Sequence, residues 1–85
     1  MMDIKLAYYR KKDWKRFLKM IDDRESMHEI WDDWHKEYLR VKKFMASEGF
    51  EVFDVVIDLN ELANYCKSRG IKNDGAARSQ FVQAR

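Results

Sequence analysis

The sequence predicts an α+β domain, mainly helical, in the order β-α-α-β-α-α with a small two-stranded sheet. Three observations predict it. Apolar residues recur at helical spacing between Met27 and Met45, forming a stripe that faces a core. The run Phe50-Glu51-Val52-Phe53-Asp54-Val55-Val56-Ile57 is β-branched and aromatic, the composition of a strand. Gly49 and Gly70 stand where the helical periodicities stop, as left-handed caps do. An all-α bundle with an extended connector is the alternative that the same pattern allows.

Taken in order, the first element is Asp3–Tyr9, where Ile4, Leu6 and Tyr8 alternate with Lys5, Ala7 and Tyr9. It is the one intramolecular partner available to the later strand, which cannot stand alone. A short helix follows from about Asp13 to Asp23, with Asp13 as N-cap and Trp14, Phe17, Leu18 and Ile21 on its inward face. A long helix runs from about Met27 to Glu48. Ser26 with Glu29 reads as a capping box, in which hydroxyl and carboxylate each satisfy a free backbone amide. Its stripe is Met27, Ile30, Trp31, Trp34, Tyr38, Val41 and Met45. The short link between these helices predicts an antiparallel hairpin. The strand at 50–57 is apolar on both alternating faces, which predicts a buried, well-covered strand. Asp58 with Glu61 caps a helix reaching Arg69, with Leu59, Leu62, Ala63 and Cys66 inward. Asn73 or Asp74 caps a last helix to about Gln83, with Phe81 and Val82 packed. A two-stranded sheet has two open edges, and open edges recruit other strands. The expectation is therefore a homodimer that joins or covers the sheets.

Eighty-five residues make a single domain spanning 1–85. With 46% hydrophobic residues the chain can bury a core, which excludes intrinsic disorder. Cys66 is the one cysteine, so no intramolecular disulfide staples a domain this small. The N-terminal segment has no apolar run of leader length, and no stretch approaches the ~18 residues of a membrane span. The expected location is cytoplasmic, with no membrane partner. Charge is uneven: +4 over 1–24, −2 over 25–49, −4 over 50–61 and +4 over 62–85. Basic ends around an acidic middle suit either an acidic partner or pairing within the fold.

Four constellations bear on function. Arg10, Lys11, Lys12, Lys15, Arg16 and Lys19 lie beside Tyr8, Tyr9 and Trp14. Cations with rings are the combination by which nucleic acid is held, through phosphate contacts and base stacking. Because Trp14 belongs to an inward face, the tyrosines are left to stack. Lys72, Gly75 and Arg78 surround a helix start, where free amides and added charge can form an anion site; Asp74 competes for the same amides, and a capped turn between two helices is the favoured reading. His28, Asp32 and His35 share one helix flank and are a legitimate transition-metal set, but the histidines are about 10.5 Å apart along the axis, so one ion would strain to reach both and a metal site is the lesser reading. Cys66 sits near a helix C-terminus, whose dipole disfavours a thiolate. No nucleophile elbow, metalloprotease or dinucleotide motif occurs in the sequence. Phe44 falls off the apolar stripe on a charged face, where a ring either marks an interface or packs under the following strand.

Residues 50–84, a strand and two helices separated by Gly70, resemble in element order the ribbon-helix-helix repressors and antitoxins. That resemblance implies a DNA-reading ribbon. The strand departs from it, offering Glu51 and Asp54 where the family presents polar or basic side chains to bases, and carboxylates repel phosphates. The reading that follows is a small non-catalytic protein-interaction module with an unknown protein partner, no cofactor and no metal. A nucleic-acid-binding or regulatory role, antitoxin- or repressor-like, is the alternative. A metal-binding protein or small enzyme comes last.

Overall fold

The computed structural model describes residues 2–85. Strand β1 (Met2–Tyr8) leads through a 3-10 turn at Lys11–Asp13 into helix α1 (Trp14–Met20). A second 3-10 turn at Arg24–Ser26 precedes helix α2 (Trp31–Ser47). Strand β2 (Phe50–Val56), helix α3 (Leu59–Arg69) and helix α4 (Gly75–Gln83) complete the order β-α-α-β-α-α. The two strands pair, so the fold is α+β and the all-helical alternative falls.

Pairing is parallel, from Met2 opposite Phe50 to Tyr8 opposite Val56. Parallel neighbours need a crossover, and α1 and α2 lie within it. Ile57 extends the ladder, its amide donating to the Tyr8 carbonyl at 2.9 Å. Residues in register share a face. On one face the Tyr8 ring meets Trp34 at 5.8 Å and Tyr38 at 5.4 Å. On the same face Asp54 accepts from the Tyr38 hydroxyl and, at 2.8 Å, from Lys42 Nζ. Helix α2 therefore lies across that face. The other face carries Ala7 and Val55, both packed on the core, and leads to buried Tyr9 and Ile57.

Phe17, Ile57 and Leu62 are fully buried at the centre. Around them Tyr9 meets Phe17 at 4.1 Å and Trp14 meets Trp34 at 5.3 Å. Burying each such side chain contributes about 1.5–3 kcal/mol, so a few aromatic residues supply much of a small core. All four residues of the predicted inward face of α1 are buried, as are Phe81 and Val82.

Capping follows the sequence at the later helices. The Asp58 carboxylate accepts the Glu61 amide, and Asp74, not Asn73, accepts the Ala77 amide, each at 3.0 Å. Gly70 ends α3 at φ 63. The Ile71 amide reaches the Cys66 carbonyl and the Gly70 amide the Lys67 carbonyl, a Schellman closure.

Several expectations are corrected. Asp13 caps nothing; its carboxylate takes Arg10 Nε at 3.1 Å. Helix α1 stops at Met20, with Ile21 extended but still buried. Helix α2 begins at Trp31 rather than Met27, because Ser26 Oγ bonds Asp23 instead of a helix amide. The Glu29 carbonyl is also taken, by the Trp14 indole at 3.3 Å. The link between α1 and α2 is consequently long. The helices form no tight hairpin: α2 packs on the sheet and meets α1 through Trp14 and Trp34. Strand β2 is not buried, with Phe53 43% and Val56 53% exposed. Ala63 faces solvent.

Candidate functional site

The predicted anion site is filled from within. Asp23 Oδ2 accepts from Arg78 Nη2 at 2.7 Å, Gly75 N at 3.2 Å and Ser26 Oγ at 3.1 Å. Arg78 Nη1 donates to the Asn73 carbonyl at 3.0 Å and to Asn73 Oδ1 at 3.2 Å. Asp22 and Asn73 add two reciprocal bonds, Asp22 N to the Asn73 carbonyl and Asn73 N to Asp22 Oδ2. The α1–α2 connector is thereby pinned to the start of α4. The Arg78 side chain is 7% exposed, and its guanidinium lies 5.4 Å from the Phe17 ring centre. A charge so buried needs its partner. Lys72 stays on the surface and takes no part. The anion chemistry at Gly75 and Arg78 is thus legible in the sequence, but its anion is the chain's own Asp23. The one signal for Asp23 is an acidic pair directly after an apolar helical face.

The bond from Arg78 holds the Asp23 carboxyl below the usual carboxylate range, against an opposing effect of burial. Burial pushes the Tyr9 phenol up to about 12, opposed by the nearby Arg78 charge. Asp54 is lowered by the bonds from Lys42 and Tyr38. Tyr38 is raised by burial and then by its bond to Asp54.

The six predicted nucleic-acid residues divide. Arg10 is held by Asp13, Lys11 pairs with Asp32 at 3.5 Å, and Arg16 bonds Asn60. Lys12, Lys15 and Lys19 are exposed and have no carboxylate partner among the described residues. Tyr9 is buried and Tyr8 is packed on Trp34, Tyr38 and His35, which corrects the expectation that the tyrosines are free to stack.

Beside these lysines runs a groove that sequence spacing alone did not reveal. One cavity of about 230 Å³ is lined by Lys11, Trp14, Lys15, Glu29, Ile30 and Trp31. A second of about 280 Å³ is lined by Lys15, Leu18, Lys19, Arg24 and Glu29. They share Lys15 and Glu29, so they adjoin.

The sheet edges are unequal. In a parallel ladder alternate residues turn both backbone groups toward the partner. Tyr8 accepts from Ile57, so on β1 the even residues face β2 and the odd ones face outward. That outer row is stopped at two points: Gln83 Nε2 donates to the Lys5 carbonyl at 3.3 Å and Trp31 Nε1 to the Tyr9 carbonyl at 2.7 Å. Helix α4 packs alongside. On β2 the outward residues are Val52, Asp54 and Val56, whose backbone groups have no partner among the described residues.

His28 is exposed, while His35 stacks on Trp31 at 4.4 Å. Among the described residues no three ligand-type side chains converge as a metal set. Cys66 is buried, and burial raises its thiol. Phe44 is exposed at 56% on α2. Among the described residues no helix is long and apolar enough to cross a membrane.

Compared with models of protein families, with curated proteins and with solved structures, the chain matches none.

Proposed function

We propose that this chain is a non-catalytic interaction module of the cytoplasm that works as a homodimer, its subunits joined along the outer edge of β2. The observation that carries the reading is that edge: Val52, Asp54 and Val56 have backbone groups without a partner among the described residues, and the side chains of Phe53 and Val56 are exposed. Such a row is a template for another strand. A second β2, antiparallel about a two-fold axis at Phe53, satisfies it in full. Val52 and Asp54 then exchange backbone bonds with the partner's Asp54 and Val52. Phe53 faces its own copy at the non-hydrogen-bonded centre, where side chains approach closest, and Phe50 faces Val56. Shifting the axis to Asp54 would oppose two carboxylates, which is unfavourable. The result is a four-stranded sheet, a more self-sufficient unit than an isolated strand pair.

Light scattering at high micromolar concentration tests it. The expected mass is twice 10.4 kDa, and Phe53→Lys with Val56→Lys returns it to one chain while leaving the far-ultraviolet spectrum unchanged, since both side chains are exposed. A wild-type monomer at that concentration defeats the reading. The nucleic-acid alternative retains its cations but has lost the tyrosines that were to stack.

A further inference from the structure

The groove along α1 combines two properties that seldom coincide on a solvated helix face: an apolar floor and a row of cations. Trp14 and Leu18, core residues 3% and 5% exposed, close the bottom of the cavities, and half-buried Trp31 supplies accessible apolar surface beside them. Ile30 forms one wall and is 59% exposed, an aliphatic side chain with nothing upon it. The opposite rim is Lys15 and Lys19, four residues apart on one side of α1, continued by Lys11 in the preceding 3-10 turn, which lines the first cavity together with Lys15. Lys15 and Lys19 lie roughly 6 Å apart along the axis at the standard rise, about one turn of a helical ligand. Arg24 adds a fourth cation and Glu29 the one carboxylate lining the groove.

We infer that this groove is the docking site for an acidic amphipathic segment of a partner protein, with its apolar side chains on Ile30 and Trp31 and its carboxylates along Lys11, Lys15 and Lys19. The mode is that of a helix laid in a groove, with apolar anchors giving affinity and rim charges giving orientation. Charge complementarity selects the acid. Lys15 and Lys19 have no carboxylate of their own among the described residues, and the pairs Lys11–Asp32 and Arg24–Glu29 are exposed, at 3.5 and 3.3 Å. Exposed pairs of this kind hold little free energy and exchange partners readily.

The same geometry disfavours nucleic acid here. Base stacking requires an open ring face. Trp31 has His35 stacked upon it at 4.4 Å and Lys11 over its ring at 5.7 Å. Trp14 is packed among Tyr9, Phe17 and Trp34. The groove therefore offers aliphatic contact and edges of rings, suited to Leu or Phe side chains. It is separate from the β2 edge, so its occupancy does not depend on the dimer.

The test is an amide-spectrum titration of the full chain with a synthetic peptide carrying Leu and Phe at helical spacing among Asp and Glu. Shifts are expected at residues 11–19 and 29–31, with affinity falling as salt rises. Lys15→Glu with Lys19→Glu should weaken binding by about tenfold or more. Ile30→Ser, which keeps every charge, should weaken it several-fold. Lys36→Glu with Lys43→Glu, on the outer side of α2, should leave it unchanged. The inference is overturned by an absence of shifts at low salt, by shifts centred elsewhere, or by a charge-reversed variant that binds as the parent does. It is equally overturned if the peptide with Leu and Phe replaced by Ser binds as well, or if an oligothymidine occupies the groove more tightly.

Discussion

Replacing Asp23 by Ala removes the one carboxylate that the buried Arg78 guanidinium contacts among the described residues. Arg78 is 7% exposed and Asp23 21%, so the guanidinium cannot recover its lost partner from bulk water without opening the structure. Breaking a buried pair by deleting one member costs about 3–5 kcal/mol. Partial access at Asp23 places the value near the lower end, about 3 kcal/mol. The Gly75 amide loses its acceptor as well. A chain of 85 residues has roughly 4–13 kcal/mol of total stability at about 0.05–0.15 kcal/mol per residue. The variant should therefore unfold some 12–24 °C lower, at about 4–8 °C per kcal/mol. Urea titration followed by tryptophan fluorescence measures it. Asp23→Ala with Arg78→Met should cost less than the two single changes added together, since neither charge is then stranded. A loss below about 1 kcal/mol, or strict additivity, refutes the reasoning. The pH dependence has a definite sign. Arg78 lowers the folded-state pKa of Asp23, so the stabilisation is complete above the unfolded value of about 3.9 and disappears as pH falls through the folded one. Asp23→Asn should flatten that acid limb.

Tyr9 and Tyr38 act at the other end of the scale. Their folded phenols are raised by burial, so each stabilises the fold below the unfolded value of about 10, and that contribution is lost as pH rises toward the folded value. Their phenolate absorbance should appear together with unfolding, and ionisation of both near pH 10 in a folded chain would contradict their burial. Cys66, 5% exposed and raised by burial, should react with a disulfide reagent at neutral pH no faster than the protein opens. Rapid stoichiometric labelling of the native chain would show that the thiol is accessible.

What was legible in the sequence are features with a short-range cause. The strand at 50–56, the Asp58 and Asp74 caps and the Gly70 stop each depend on residues within one turn, and each occurs. The inward face of α1 is equally local. The failures are tertiary. Ser26 and Glu29 have the spacing of a capping box, yet Asp23 claims the hydroxyl and the Trp14 indole claims the Glu29 carbonyl. A helix beginning at Met27 would turn that carbonyl toward the amide of Asp33, which instead donates to Ile30. Apolar residues on both faces of β2 predict a covered strand. Periodicity reports which residues can be buried, and only the arrangement of neighbours decides that Phe53 and Val56 are not. The basic residues at 10–19 were visible as charge. Their role as one rim of a groove depends on Ile30 and Trp31, brought alongside by the long connector.

The parallel pairing of β1 with β2 also orders events in time. As the chain leaves the ribosome, β1 emerges first and has no strand to meet until Phe50 and its successors follow. Helices α1 and α2 form from near neighbours, whereas the ladder must close a loop containing both of them, and closure of a long loop carries an entropic cost before any contact rewards it. The sheet is thus a late latch rather than a seed. Until it engages, the backbone groups of β1 that face β2 have no strand partner.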